Sequence, residues 1–246
     1  MPTIDLNCDM GEGSGQDDRI MPFISSVNIA CGYHAGDEKT IWDTIELAVQ
    51  YGVAIGAHVS FLDRENFGRS EILMPSAQLY DTIVQQLVVL DEIIGSFDLR
   101  IHHVKPHGAL YNMSAKDPEL ASTIAKAIND YDSRLILFGL SNSHSIHEAA
   151  QVGLRTCSEV FADRTYQEDG LLTPRSSADA LIEDSDTAVR QVLKIIDTGK
   201  VITVSGIEIP LFAETICLHG DGKYAAKFAK EINDALKHHH IEIKAF

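Results

Sequence analysis

The sequence predicts an α/β barrel, and three observations support that prediction. Short runs rich in Val and Ile alternate with amphipathic runs seven or eight times, as parallel strands with crossover helices do. Several strand runs lack strict polar alternation, which is typical of strands buried on both faces. No linker-like stretch divides the 246 residues, so we expect one (β/α) barrel domain over residues 1–246. A doubly wound open sheet is the main alternative, because periodicity does not report closure.

Eight runs are predicted strands, each short and most of them rich in β-branched residues. In chain order they read TIDLNC, SSVNIAC, VAIGAHV, IHHVK, RLILFG, LRTCSEVFA, VITVS and TICLHG. The last residues, IEIKAF, also have the composition of a strand.

Six helices are predicted between these strands, and their ends carry the residues that commonly begin and end helices. The first follows Asp37 and ends at Gly52, and the third begins with Asp117 and Pro118. An acid in front and a glycine behind favour helix boundaries at those points. The predicted helical runs cover residues 37–51, 75–94, 116–130, 142–152, 185–198 and 222–237.

The composition narrows the classes of function. A formal net charge of −16 repels phosphate backbones, which argues against nucleic acid as a partner. The four cysteines form no Cys-x-x-Cys pair, and free thiols favour a reducing compartment. We find neither a secretory leader nor an apolar run of membrane-spanning length, and we therefore expect a cytoplasmic protein.

Charged and imidazole side chains follow six of the predicted strands. They are Asp9 and Glu12; His34 and Asp37; His58; His103, Lys105 and His107; Asp163 and Arg164; and His219 and Asp221. One such residue alone is more often structural, and Asp37 and Asp221 also suit helix N-caps. In a barrel, however, the carboxyl ends of all strands meet at one rim, where the active site lies. The sequence therefore predicts an active site at that rim.

Asp9, His58 and His107 form a candidate set of three metal ligands from three different strands. One carboxylate and two imidazoles suit zinc or another divalent ion with an open position for water. The alternative is that these residues hydrogen-bond a substrate without any metal, and their wide spacing in sequence does not decide between the two.

Lys105 lies among histidines on an otherwise apolar strand. It is a candidate anchor for a carboxylate or a lysine of depressed pKa, and the structural alternative is an ion pair with Glu12 or Asp163. One or two of several loop arginines are candidates for bidentate binding of a carboxylate. They are Arg64, Arg69, Arg164 and Arg175.

Two common catalytic motifs are absent from the sequence. There is no Gly-x-x-x-x-Gly-Lys-[Ser/Thr] phosphate loop, so nucleotide chemistry requires another site or another chain. There is no Gly-x-Ser-x-Gly elbow either, which argues against a serine hydrolase.

Six motifs in order make the sequence similar to the LamB/YcsF family, which comprises the A subunits of 5-oxoprolinase. They are DLNCDMGE, NIACGYHAGD, GAHVSFLDRENFGR, HVKPHGALYN, EVFADRTYQEDGLLTPR and TICLHGDG. The resemblance implies an incomplete barrel of seven strands, like the glycoside hydrolase/deacetylase barrels. It also implies ATP-dependent cleavage of 5-oxoproline to L-glutamate together with two partner subunits, which would share the handling of ATP.

Within that resemblance, the candidate residues receive roles. Asp9, Glu12, Lys105 and Asp163 are the expected catalytic residues. The expected substrate-binding residues are His34, His103, Arg164, His219 and Asp221. By analogy with related barrel deacetylases, Asp9, His58 and His107 would hold a divalent metal, a second candidate cofactor beside ATP. A stand-alone metal-dependent amide or carbohydrate deacetylase is one alternative function, and a non-catalytic subunit that binds a small acid is another.

Overall fold

The computed structural model describes residues 2–220, 222 and 224–246. The strands within this part of the chain are β1 (Thr3–Met10), β2 (Ser26–Ala30), β3 (Ala54–Val59), β4 (His103–Pro106), β5 (Ile136–Leu140), β6 (Arg155–Phe161), β7 (Lys200–Ile202), β8 (Glu208–Pro210), β9 (Thr215–His219) and β10 (Glu242–Ile243). Seven of them pair in parallel in the order β1-β2-β3-β4-β5-β6-β9, and β9 pairs again with β1. The sheet is therefore a barrel of seven strands, as the resemblance implied. Pairing of β9 with β1 closes it, so the open-sheet alternative is wrong.

The helices surround this barrel. They are α1 (Asp17–Ile20), α2 (Glu38–Tyr51), α3 (Ser76–Gly95), α4 (Gly108–Lys116), α5 (Pro118–Tyr131), α6 (His144–Gln151), α7 (Ser185–Thr198) and α8 (Ala225–His238). The six predicted helices are confirmed, and Asp37 and Asp117 accept backbone N–H groups at the starts of α2 and α5. Among the described helices, none is long and apolar enough to cross a bilayer. The sequence did not predict α1 or α4.

The prediction of a barrel strand at VITVS is wrong. Lys200–Ile202 instead pairs antiparallel with Glu208–Pro210 in a hairpin outside the barrel. Val201 is buried, whereas Lys200 and Ile202 on either side of it are exposed. A run with only one buried face suits a surface hairpin, while a barrel strand is covered on both faces.

The first barrel strand, β1, alternates between apolar side chains in the hydrophobic core and polar side chains in the barrel interior. On β1, Ile4, Leu6 and Cys8 belong to the hydrophobic core, and the alternate side chains of Asn7 and Asp9 hydrogen-bond across the interior. This alternation follows from the period of two in a strand. The polar side chains of β1 therefore lie inside the barrel near its carboxyl end, and its apolar side chains pack in the surrounding core.

Gly56 on β3 leaves space that the ring of His103 on the neighbouring strand fills. A Cβ atom at residue 56 would lie 2.2 Å from His103 Nε2, a distance that requires the ring to move. We expect Gly56→Ala to lower the free energy of unfolding by about 1–3 kcal/mol, the usual cost of overpacking, as measured by urea denaturation.

Gly95→Ala is the matched control for that variant. Gly95 ends α3 without a positive φ, and a Cβ atom there meets nothing within 4 Å. Alanine favours helix more than glycine does, so this variant is expected to be neutral or slightly stabilised. Equal destabilisation of both variants would contradict the packing argument.

Candidate active site

The rim loops that follow β3 and β4 pack against each other so closely that Gly68 and Gly108 could not carry a side chain without a clash. Gly68 has φ +66°, and a Cβ atom there would lie 2.4 Å from Ser60 Oγ and 2.8 Å from His107 Cδ2. At Gly108, with φ +54°, a Cβ atom would lie 2.5 Å from the carbonyl oxygen of Gly68. Glycine is required at both positions, and the contact holds the loop after β3 against His107.

Lys105 lies in the barrel interior between two buried carboxylates. Its Nζ is 2.9 Å from Asp9 Oδ1 and 2.9 Å from Glu159 Oε1. The thiol of Cys217 is 3.0 Å away. The lysine is 2% exposed and Glu159 is fully buried, so neither charge is hydrated. The partners are therefore Asp9 and Glu159, not Glu12 or Asp163.

The charge states of this group follow from its neighbours. Burial works against an ammonium ion, but the negative charge of Asp9 and the adjacent Cys217 and Glu159 raise the pKa of Lys105 well above its usual value. Burial likewise opposes ionisation of Asp9, but His58 and Lys105 lower its pKa well below the ordinary range. Lys105 is thus a fixed cation at neutral pH, which favours an electrostatic role over that of a neutral base.

Two asparagines and a histidine hold Asp9 in place from below. Asn28 Nδ2 donates to Asp9 Oδ1 and to Asn7 Oδ1, each at 2.8 Å. His103 Nε2 donates to Asn28 Oδ1 at 2.8 Å, and its ring stacks on Phe138. Because His103 donates to Asn28 Oδ1, the amide of Asn28 is oriented with Nδ2 toward Asp9. Asp9 Oδ1 therefore accepts hydrogen bonds from both Asn28 and Lys105.

A cluster of imidazoles lies beside Asp9 at the rim. His58 Nε2 is 3.3 Å from Asp9 Oδ2 and 2.9 Å from His107 Nδ1. Glu12 Oε1 lies 3.5 Å from His107 Nδ1, 3.9 Å from His58 Nε2 and 3.1 Å from His34 Nε2. We call Glu12, His34, His58 and His107 the histidine cluster. Their candidate ligand atoms all lie within 4.8 Å of one another, and the three histidines are buried.

Backbone carbonyl groups fix the hydrogen positions of two rings in the histidine cluster. His58 Nδ1 is 2.9 Å from the carbonyl oxygen of Lys105, and His107 Nε2 is 2.8 Å from that of Phe67. A carbonyl oxygen only accepts, so both of these ring nitrogens carry hydrogen. In the neutral rings, His58 Nε2 and His107 Nδ1 consequently lack hydrogen, and they point lone pairs at each other. Burial, together with His34 and His58, lowers the pKa of His107 well below its usual value.

His34 stacks on His107 rather than converging with it. The ring centroids are 3.8 Å apart and the planes differ by 7°. Burial and the nearby His58 lower the pKa of His34 to about 2, so the ring is neutral. Its Nε2 hydrogen is placed to donate to Glu12, which orients that carboxylate toward the other two rings.

Asp163 and His219 form a second pair on the far side of Lys105. His219 Nδ1 donates to Asp163 Oδ2 at 2.8 Å, and the backbone N–H of His219 donates to the same oxygen at 3.1 Å. Burial opposes ionisation of Asp163, but His219 and Arg175 lower its pKa below the ordinary value. A carboxylate on Nδ1 leaves the Nε2 atom of a neutral imidazole able to accept a proton, as in catalytic triads.

Lys105, His107 of the histidine cluster and His219 of the pair with Asp163 border one opening of the barrel. A cavity of about 40 Å³, the mouth cavity, is lined by Lys105, His107, Tyr111, Phe161 and His219 together with rim arginines. It shares Arg69, Arg164 and Arg175 with a larger outer cleft of about 360 Å³. Cations therefore concentrate at the opening of a strongly acidic chain, which favours an anionic ligand.

The comparisons with known proteins agree with this fold. A model of the LamB/YcsF family matches residues 4–246. The chain belongs to the LamB/YcsF family. The resemblance of the six motifs is thereby confirmed.

Relatives of this LamB/YcsF chain match it over its full length. The A subunit of 5-oxoprolinase from Bacillus cereus is 47% identical over 251 residues, covering 100% of this chain and 99% of the relative. A lactam utilization protein from Thermus thermophilus superposes with a TM-score of 0.92 at 36% identity, covering 99% of this chain and 100% of that one.

More distant structures share the fold alone with this LamB/YcsF chain. A family 4 carbohydrate esterase from Streptomyces lividans has a TM-score of 0.53 at 13% identity, covering 98% of this chain and 91% of that one. This likeness confirms the deacetylase-type barrel that the resemblance implied.

The structure of the LamB/YcsF chain distributes the predicted site residues over three places. Those that meet at the rim are Asp9, Glu12, His34, His58, Lys105, His107, Asp163 and His219. His103 lies below it on Asn28, and Arg164 donates to the carbonyl oxygens of Ala180 and Thr173, which holds the loop after β6. Asp221 lies outside the described residues.

Sequence reasoning missed Asn7, Asn28, Glu159 and Cys217 of this LamB/YcsF site. One signal was available, because Asn7 precedes Asp9 by two residues and Cys217 precedes His219 by two, so each pair shares one face of a strand. Glu159 is the single charge in the run CSEVFA of the sixth predicted strand, and a buried charge requires a partner.

Proposed function

We propose that this chain is the lactam-binding and hydrolytic subunit of an ATP-dependent 5-oxoprolinase that also contains two partner subunits. Its full-length relatives carry the name of the A subunit of 5-oxoprolinase, which implies further subunits. The observation that supports the chemistry best is that a buried cation, Lys105 beside Asp9, and a candidate proton carrier, His219 on Asp163, line one small opening.

The cationic lining of the opening and of the outer cleft suits a small acid. Lys105 lies at the base of the mouth cavity, and Arg69 and Arg175 lie where it meets the outer cleft. A guanidinium binds a carboxylate through two parallel hydrogen bonds, so we assign the carboxylate of 5-oxoproline to one of these arginines. The lactam carbonyl would then face Lys105, which stabilises negative charge on its oxygen.

Opening the ring requires water to add to the carbonyl carbon and the ring nitrogen to leave with a proton. We assign to His219 Nε2 the role of taking the proton from water and returning it to the nitrogen, while Asp163 stabilises the imidazolium. Asp9 keeps Lys105 charged and next to the carbonyl. A five-membered lactam is a stable amide, so we assign the coupling to ATP to the partner subunits, since this sequence has no phosphate loop.

We also propose that the protein acts in the cytoplasm. All four cysteines of the chain are free and buried, which supports a reducing compartment such as the cytoplasm.

Release of glutamate from 5-oxoproline tests this function directly. Combined with both partner subunits, the chain is expected to release glutamate only when ATP is present, and each single subunit is expected to be inactive. An inactive complete complex would rule the proposal out.

A stand-alone metal-dependent deacetylase is the second candidate, and the facing nitrogens of His58 and His107 favour it. A divalent ion held there would polarise a carbonyl group or lower the pKa of a bound water. If the isolated chain deacetylates an acetylated sugar without ATP, and chelation abolishes that activity, the result would support this candidate over lactam hydrolysis.

A third candidate is a subunit that only binds the acid. It predicts that Asp9→Asn changes the affinity for 5-oxoproline but leaves turnover intact.

A further inference from the structure

We propose that His58 Nε2, His107 Nδ1 and Glu12 Oε1 bind one divalent transition-metal ion, with His34 as the positioning residue for Glu12. Glu12 thereby takes the place that sequence reasoning assigned to Asp9. The inference concerns ion binding alone and does not depend on the lactam as substrate.

The contact between the two histidines requires a cation. Backbone carbonyls hold the hydrogens on His58 Nδ1 and His107 Nε2. The remaining nitrogens are 2.9 Å apart, so two lone pairs meet between buried rings, where their repulsion is strong. Histidine ligands in metal sites commonly donate their other N–H to a carbonyl oxygen, which fixes the ring with its lone pair toward the ion.

Glu12 supplies the third corner of the site. Its Oε1 lies 3.5 Å from His107 Nδ1 and 3.9 Å from His58 Nε2. Together with the 2.9 Å between the nitrogens, these separations bracket the edge of about 3.4 Å in a tetrahedron with bonds of about 2.1 Å. A proton shared by the two nitrogens would lie on the line between them and would not require a carboxylate oxygen beside that line, where Glu12 Oε1 lies.

His34 does not suit a place among the ligands of the same ion. Its ring is parallel to that of His107, with centroids 3.8 Å apart. Because a ring nitrogen binds an ion close to the plane of its ring, an ion in the plane of His107 lies well off the plane of His34. The contact of His34 Nε2 with Glu12 at 3.1 Å is instead a hydrogen bond that aims the carboxylate at the ion.

Asp9 is committed elsewhere. Its Oδ1 accepts from Lys105 Nζ and Asn28 Nδ2. The candidate ligand atoms that lie within 4.8 Å of one another and include Asp9 are those of Cys217 and His219, whereas His107 belongs to the group with Glu12. Its Oδ2 is 3.3 Å from His58 Nε2, so Asp9 adds negative charge beside the ion without replacing Glu12. Two imidazoles and one carboxylate with open positions suit Zn²⁺ or a similar ion.

Ion binding is measured on metal-free full-length chain by competition between the protein and a chromophoric chelator for Zn²⁺. The wild-type chain is expected to bind one Zn²⁺ per chain at neutral pH. Glu12→Gln and His107→Gln are each expected to weaken the affinity by about 100-fold or more, since each removes a ligand. His34→Ala is expected to weaken it by about 10–100-fold, as loss of a hydrogen-bond partner that orients a ligand does.

Two variants separate this ligand set from its alternatives. Asp9→Asn is expected to keep the affinity within about tenfold, and Glu65→Gln, an exposed acid on the same rim, is expected to leave it unchanged. The proposal is overturned if the wild-type chain binds no Zn²⁺, which would leave a shared proton as the cation. It is also overturned if Asp9→Asn abolishes binding while Glu12→Gln retains it. Circular dichroism of each metal-free variant shows whether it is folded, and Co²⁺ absorption reports the donor set independently.

Discussion

Lys105→Met is expected to lower the free energy of unfolding by about 3–5 kcal/mol, the cost of breaking a buried ion pair by removal of one partner. Methionine fills much of the volume but leaves Asp9 and Glu159 as buried carboxylates without their cation. Under the proposed function, turnover of 5-oxoproline by the complete complex is expected to fall below detection, because the cation assigned to the lactam carbonyl is gone. Urea denaturation of the isolated chain and glutamate release by the complex measure the two effects.

A double-mutant cycle shows whether the loss arises from unpaired charge. Combining Lys105→Met with Asp9→Asn removes one of the stranded carboxylates, so the double variant is expected to be less destabilised than the sum of the two singles. Lys126→Met is the control, because that lysine pairs with Asp130 on an exposed helix face, where solvent screens the pair and its loss is expected to change stability little. Strict additivity in the cycle would contradict the ion-pair geometry.

His219→Asn is expected to reduce turnover of 5-oxoproline by about 10²–10⁴-fold, the contribution of a positioned acid–base group. The amide of Asn occupies a similar space but does not take up a proton at neutral pH. Asp163→Asn is expected to give a smaller but clear reduction, because an imidazolium at residue 219 would lose its carboxylate. The Michaelis constant is expected to change much less than turnover in both variants.

His147→Asn provides the matched control for that experiment. His147 pairs with Glu148 through Nδ1 at 2.9 Å, as His219 pairs with Asp163, but it lies exposed on α6. Its replacement is expected to leave turnover unchanged. Comparable losses at residues 147 and 219 would show that the assignment of a proton carrier is wrong.

Asp163→Asn also has an expected dependence on pH. The folded-state pKa of Asp163 is lowered, so the ionised carboxylate stabilises the fold above the unfolded-state pKa of about 3.9. That contribution is lost as the pH falls through the folded-state value. The stability difference between the wild-type chain and the variant is therefore expected to shrink as the pH falls through the folded-state pKa of Asp163.

Much of the fold could be predicted from the sequence because its signals are local. Asp37, Asp117, Gly52 and Gly199 mark helix ends through capping hydrogen bonds and left-handed backbone, and the structure places helix boundaries at each. VITVS failed as a barrel strand because three residues with a single buried face do not report which partner they pair with. α4 was missed because HGALYN follows β4 with no loop that marks a new element.

Most of the residues that meet at the rim could be read from the sequence. Six of the predicted strands end in or are followed by polar side chains, and parallel strands in a barrel bring those ends together whatever their separation along the chain. The inner polar face of β1 was also readable, since Asn7 and Asp9 alternate with apolar neighbours.

Only the tertiary structure decided which of these groups meet. Lys105 pairs with Asp9 and with Glu159, which is 54 residues further along the chain, and His107 faces His58 across two adjacent strands. Glu12 Oε1 lies within 3.9 Å of both His58 Nε2 and His107 Nδ1, whereas Asp9 Oδ1 accepts from Lys105 and Asn28 and Asp9 Oδ2 is 3.3 Å from His58 Nε2. Such choices depend on distances of a few ångströms between residues far apart in sequence, and Coulomb and hydrogen-bond energies vary steeply over that range.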